Sequence, residues 1–146
     1  MPLSNLLYEA YLQRRLHPQA FTSLKRRVID TLARLLGQLI EARVVNPTLS
    51  SKHIFLTRDD NSFDFALIDV GRARLVSGLR TRHLVKPLSV LHRSLSLEIF
   101  SSTDRLRLFK RVFPSPNHYH NQKRFIKRIV RKAGQRGFRD INSPHY

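Results

Sequence analysis

Residues 44–74 read VVNPTLSSKHIFLTRDDNSFDFALIDVGRAR, and this stretch decides the fold. Asn46-Pro47 stops any preceding helix, because a proline biases the residue before it away from the α region. Residues 53–57 and 63–69 then read as two strands. The Asp59-Asp60-Asn61-Ser62 run between them is a turn signal. Leu67 and Ile68 are consecutive apolar residues, which implies burial on both faces near the strand end. The second strand closes on Asp69, followed by Val70 and by Gly71, where positive φ or a close backbone approach is expected. An Asp in that setting can hold Mg²⁺, which takes oxygen ligands and needs only one or two protein carboxylates beside phosphates. It can equally cap the turn. A second ligand would come from the preceding loop, from His53 or Asn46.

Outward from this unit the chain reads as helices. Leu24, Val28, Leu32, Leu35, Leu36 and Leu39 recur at spacings of three and four, which predicts an amphipathic helix over residues 22–42. Residues 1–21 read as a connecting segment. Leu84, Leu88, Leu91 and Leu95 give a second apolar stripe, expected to begin near Lys86 with Pro87 in its first turn. Ser101 and Asp104 resemble a capping box that opens a third helix, with Leu106, Phe109, Val112 and Phe113 as its buried side. A fourth helix is expected over residues 121–133, apolar through Phe125, Ile126, Ile129 and Val130. Gly134 would be its C-cap, and residues 134–146 a loose basic tail.

Composition bounds the function classes. With 146 residues and 41% hydrophobic content, one domain with a modest core is expected. There is no cysteine, which excludes disulfides and thiolate metal sites and fits a reducing compartment. No run approaches membrane-span length, and the N-terminus lacks signal-peptide character, so a cytoplasmic location is expected. Lys and Arg number 27 against 10 acids, a formal charge of +17 that attracts polyanions or simply solvates the surface. Lys123, Arg124, Lys127, Arg128, Arg131 and Lys132 crowd the last helix. They read as a solvated face, as a membrane surface that would place the chain peripherally on the inner membrane, or as a nonspecific nucleic-acid contact.

The run LSSKHIFL followed by ALIDVGRAR resembles the catalytic core of the lipopolysaccharide kinase family of Kdo and heptose kinases. STDRLRLFKRVF and RFIKRIVRKA add to the resemblance, which covers residues 22–133. It implies an α+β fold, mostly helical: a protein-kinase-like C-lobe with an embedded two-stranded hairpin. It implies ATP-dependent phosphorylation of a lipopolysaccharide-core sugar, with Mg²⁺ and ATP as cofactors on resemblance alone. Asp69 is then the metal-binding Asp, and His53 falls on the second metal-side position, although neutral imidazole is a poorer Mg²⁺ ligand than carboxylate. Lys52, Arg72, Arg74, Arg80 and Arg82 are candidates for anionic sugar phosphates; the alternative is a solvated loop.

The departures bear on activity. Thr48 occupies the catalytic Asp position, and Asn46 stands where the family has His or Tyr. His83 stands where an Asp is usual. No Gly-rich phosphate loop or lysine strand precedes the first long helix. The expectation is therefore a truncated, catalytically impaired kinase-like protein, with an anionic membrane surface, a lipopolysaccharide precursor, a missing N-lobe or an intact kinase as partners. A pseudokinase-like regulatory or membrane-surface module and a basic nucleic-acid-binding protein are the alternatives.

Overall fold

The computed structural model describes residues 1–59, 62–113 and 119–141. Its elements run α1 (Leu3–Gln13), α2 (Pro18–Glu41), β1 (Val44–Val45), a 3₁₀ turn (Ser51–His53), β2 (Ile54–Asp59), β3 (Ser62–Leu67), β4 (Arg74–Leu75), α3 (Thr81–Ser94), α4 (Ser102–Val112) and α5 (Tyr119–Ile141). The fold is α+β and mostly helical. β2 and β3 form the expected antiparallel hairpin, in register from Ile54 opposite Leu67 to Asp59 opposite Ser62. The centre of the turn, Asp60 and Asn61, lies outside the described residues.

A second ladder was not foreseen. β1 and β4 pair antiparallel, Val44 opposite Leu75 and Val45 opposite Arg74. Two residues per strand are too few to show a period, so only the returning chain makes them strands. This pair ties the loop before the hairpin to the segment after it.

α2 buries Val28, Ile29, Leu32, Leu35 and Leu36, the face that the 3.6-residue period selects. Residues 1–21 are more than a connector. α1 buries Leu3, Leu6 and Leu7, and the Met1 carbonyl accepts from the Leu56 N–H at 2.9 Å, extending the free edge of β2. Pro18 opens α2, where its missing N–H costs nothing.

α3 begins earlier than its leucine stripe suggests and carries Pro87 inside rather than in its first turn. His83 Nδ1 accepts from the Arg80 backbone N–H at 3.0 Å, and the His83 N–H donates back to the Arg80 carbonyl at 2.9 Å, which closes the helix start. α4 has the expected Ser101–Asp104 capping box. Its buried side differs from expectation: Leu106 is 41% exposed, while Arg105, Leu108, Phe109 and Val112 face inward. These four follow the i, i+3, i+4, i+7 pattern, and a charged residue concealed one of its positions.

Arg105 is the reason. Its Nη1 donates to the His92 carbonyl at 2.6 Å, its Nη2 to the Leu95 carbonyl at 2.7 Å, and its Nε to the Phe100 carbonyl at 3.3 Å. The first two are orphan carbonyls at the end of α3, where the helix dipole favours a cation, and the third precedes α4. His92 Nδ1 lies 3.3 Å from Arg105 Nη1; a guanidinium only donates, so the ring accepts there and is neutral. Burial, then the adjacent Arg105 charge, holds the His92 pKa below its ordinary value. On α4 the Asp104 carboxylate accepts from Lys25 of α2 at 2.8 Å. Burial raises its pKa, but the bonds from Lys25 and Ser101 outweigh that and the net shift is downward.

α5 packs along α3 and buries Phe125, Ile129 and Ala133, with Gln122 also buried. Val130, expected on the apolar side, is exposed. Gly134 does not cap α5, which continues to Ile141; glycine is tolerated inside a helix at a cost of about 1 kcal/mol. Residues 142–146 lie outside the described residues.

Leu32 is 0% exposed, so Leu32→Ala should lower unfolding stability by about 2–5 kcal/mol in denaturant titration. Leu106→Ala should stay within about 1 kcal/mol of wild type, since the side chain is largely in water. Equal losses would mean that α2 does not face the core.

His92 makes stability pH-dependent with a definite sign. Below its ordinary value of 6.5, the unfolded chain takes up a proton that the folded chain resists. Stability therefore falls as pH drops through that window. Thermal melts from pH 7.5 to 5.5 should show a decline that is shallower in His92→Gln; parallel slopes would remove His92 as the cause.

Candidate functional site

The site is built on the loop between β1 and the 3₁₀ turn. Asn46 is 2% exposed. Its Oδ1 accepts from the Thr48 N–H at 3.1 Å and from Thr48 Oγ1 at 2.9 Å. This is an Asx turn, the local geometry that an Asn-Pro-Thr sequence favours. Leu49 then buries into the core. Among the described residues the buried Asn46 Nδ2 has no hydrogen-bond partner.

The 3₁₀ turn is pinned to the far end of α3. The Ser51 N–H donates to Ser94 Oγ and Ser51 Oγ donates to the Ser94 carbonyl, each at 2.9 Å. His53 leaves this turn with Nδ1 3.2 Å from the Thr48 carbonyl. The hairpin returns the chain beside it: the Ile68 N–H donates to the His53 carbonyl at 2.8 Å. Asp69 follows with φ 56°, in the left-handed region that few non-glycine residues occupy and where Asp is among the better tolerated. There its Oδ2 lies 3.6 Å from His53 Nε2.

Gly71 was expected to take the positive φ. It does not, and a Cβ on Gly71 would meet nothing within 4 Å. Asp69 takes the turn two residues earlier, so the backbone reverses at the carboxylate itself. Non-glycine residues held in this region cluster at functional sites.

Of the residues singled out in the sequence, the fold brings together Asn46, Thr48, His53 and Asp69. Lys52, Arg72, Arg74, Arg80 and Arg82 are exposed. Among the described residues none of the five is ion-paired, and none bonds to His53 or Asp69. Arg72 and Arg74 follow Asp69 closely, Arg74 lying on β4, whereas Arg80 and Arg82 flank the start of α3. The Asn46 clamp on Thr48 and the Ser51–Ser94 pin were missed. The first was signalled by the Asn-x-Thr spacing; the second depends on a contact across 43 positions that no local pattern carries.

Chemically, the 3₁₀ turn and the reversal after β3 offer one imidazole and one carboxylate facing each other. No third His, Asp or Glu joins the pair among the described residues. Thr48 presents a hydroxyl already donated to Asn46 and no carboxylate.

The sequence model of the lipopolysaccharide kinase (Kdo/WaaP) family matches residues 7–111. A solved structure described as WaaP in complex with acyl carrier protein superposes with a TM-score of 0.69 at 24% identity, over 89% of this chain and 56% of that one. The chain thus spans little more than half of that protein, and at this identity the likeness establishes a shared fold. No curated protein sequence matches the chain.

The left-handed backbone at Asp69 separates its two roles. Asp69→Gly should be at least as stable as wild type, because glycine occupies this region freely. Asp69→Val should lose about 1–2 kcal/mol from the steric cost of the conformation. Paired urea titrations measure both, and a Gly variant less stable than the Val variant would show that the turn is not strained.

Proposed function

Because the chain belongs to the lipopolysaccharide kinase (Kdo/WaaP) family, we propose that it is a lipopolysaccharide-core sugar kinase-like protein that keeps the cation- and phosphate-holding side of the site and is impaired in phosphoryl transfer. The observation that carries the reading is the contrast between the two segments that flank the hairpin. Asp69 stands at the reversal after β3 with His53 opposite, while Thr48 holds the position where the family places its catalytic Asp. Phosphoryl transfer depends on positioning and charge stabilisation, with a carboxylate accepting the acceptor hydroxyl's proton in kinases. Thr48 cannot accept that proton as a base. A divalent cation at Asp69 and His53 would supply neutralisation of nucleotide phosphates, and Arg72 and Arg74 are near enough in sequence to meet a sugar phosphate. The same contrast favours a second reading, a non-catalytic regulatory module.

The test is turnover by the purified chain with ATP, a divalent cation and a lipopolysaccharide-core acceptor. The expected result is none. Turnover that disappears in Asp69→Asn would restore an active enzyme.

We further propose that α5 rests on anionic lipid. Lys123, Arg124, Lys127, Arg128 and Arg131 are exposed and, among the described residues, none is ion-paired; Lys132 is half-buried. Phe125 and Ile129 are committed to the core, so the contact is electrostatic rather than insertion. No described helix is long and apolar enough to cross a membrane. Each cation near an anionic bilayer contributes on the order of 1 kcal/mol, screened by salt. Co-sedimentation should favour anionic over neutral vesicles and weaken several-fold in Lys127→Glu/Arg131→Glu; equal partitioning would sink the idea.

A further inference from the structure

The His53–Asp69 pair carries more than a site for any divalent ion. His53 Nδ1 lies 3.2 Å from the Thr48 carbonyl. A carbonyl oxygen can only accept, so Nδ1 carries the hydrogen of the neutral ring. The lone pair is therefore on Nε2, the atom that faces Asp69 Oδ2 across 3.6 Å. Metal-binding histidines are fixed in this way, one ring nitrogen donating to a backbone carbonyl while the other is left to the ion.

The Thr48 carbonyl is itself held. The Asn46 side chain clamps the Thr48 N–H and hydroxyl, and Asn46 is buried. On the other side, Ser51 anchors the 3₁₀ turn that presents the ring to the end of α3. Asp69 stands in the left-handed region with its carboxylate toward the ring. Two donor atoms of one first-row ion, each about 2.1 Å from it, lie about 3.0–3.4 Å apart between right-angle and tetrahedral geometry. The observed gap is only slightly wider, and the exposed Asp69 side chain is free to close it.

From this we infer that the pair is a transition-metal site, selective for Mn²⁺ and its first-row neighbours over Mg²⁺. The inference rests on the kinase-like reading of the loop and specifies its cation. Mg²⁺ demands oxygen donors and keeps its waters. A site in which one of two protein donors is an imidazole nitrogen gives up that preference and follows the first-row order of affinity. Thr48 then acts through its backbone carbonyl as a positioning residue, a role that needs no carboxylate at that position.

The test is metal binding by the full chain without nucleotide, read by the loss of free Mn²⁺ electron paramagnetic resonance signal, with Mg²⁺ as competitor. Mn²⁺ should bind at least about tenfold more tightly than Mg²⁺. His53→Asn, which supplies an oxygen donor, should abolish the preference; Asp69→Asn should abolish binding of both ions. In the wild-type chain, which avoids any question of folding, sub-stoichiometric Mn²⁺ should broaden the His53 ring resonances before those of His92. Equal affinities for the two ions, or unbroadened His53 resonances, overturn the inference. Addition of a non-hydrolysable ATP analogue separates it from the kinase reading. Mn²⁺ preference with no nucleotide binding supports the site and fails the kinase reading. Nucleotide binding with no Mn²⁺ preference fails the inference alone.

Discussion

The end of α3 depends on one buried guanidinium. Arg105 points its donors at the carbonyls of His92, Leu95 and Phe100, and no carboxylate of the described residues pairs with it. Burial alone drives its pKa down from the usual arginine value. A lone buried cation is costly, and here the negative end of a helix dipole and three carbonyl oxygens offset that cost. The arrangement fixes the angle at which α4 leaves α3. α4 then meets α2, where Lys25 and Asp104 close the contact.

The same short segment positions the functional loop. Ser94 Oγ donates to the Leu91 carbonyl at 2.8 Å and accepts from Ser51. His92 to Leu95 therefore anchor Arg105 and the turn carrying His53 together. The ladder between β1 and β4 closes the other side, so both ends of the segment from Asn46 to Ala73 are tied to ordered structure.

Charge is distributed with similar economy. The carboxylates Asp104, Asp64 and Asp30 go to cations on other elements, Lys25, Arg34 and Arg111 respectively. That leaves the cations around the Asp69 loop and along α5 without carboxylate partners among the described residues, which suits surfaces that meet phosphate. Exposed pairs such as Arg34–Asp64 contribute little to stability.

Much was determined by sequence alone. The spacing of Leu24, Val28, Leu32 and Leu36 dictated α2, because a 3.6-residue period buries only one face. Two apolar, strand-type runs and the turn residues between them dictated the hairpin, and the Ser101–Asp104 spacing dictated the start of α4. These are local rules, satisfied within one turn or one strand pair. Tertiary structure alone decided the rest. α1 is core because its leucines meet α2 and the 3₁₀ turn. Arg105 displaced Leu106 from the buried side because three distant carbonyls required donors. β1 and β4 are strands only because the chain returns. Positive φ fell on Asp69 rather than Gly71, since the reversal had to begin where β3 ends beside His53. The tautomer of His53 was settled by a carbonyl five residues earlier. Each of these depends on where the backbone brings a second group, and no period or motif in the sequence encodes that distance.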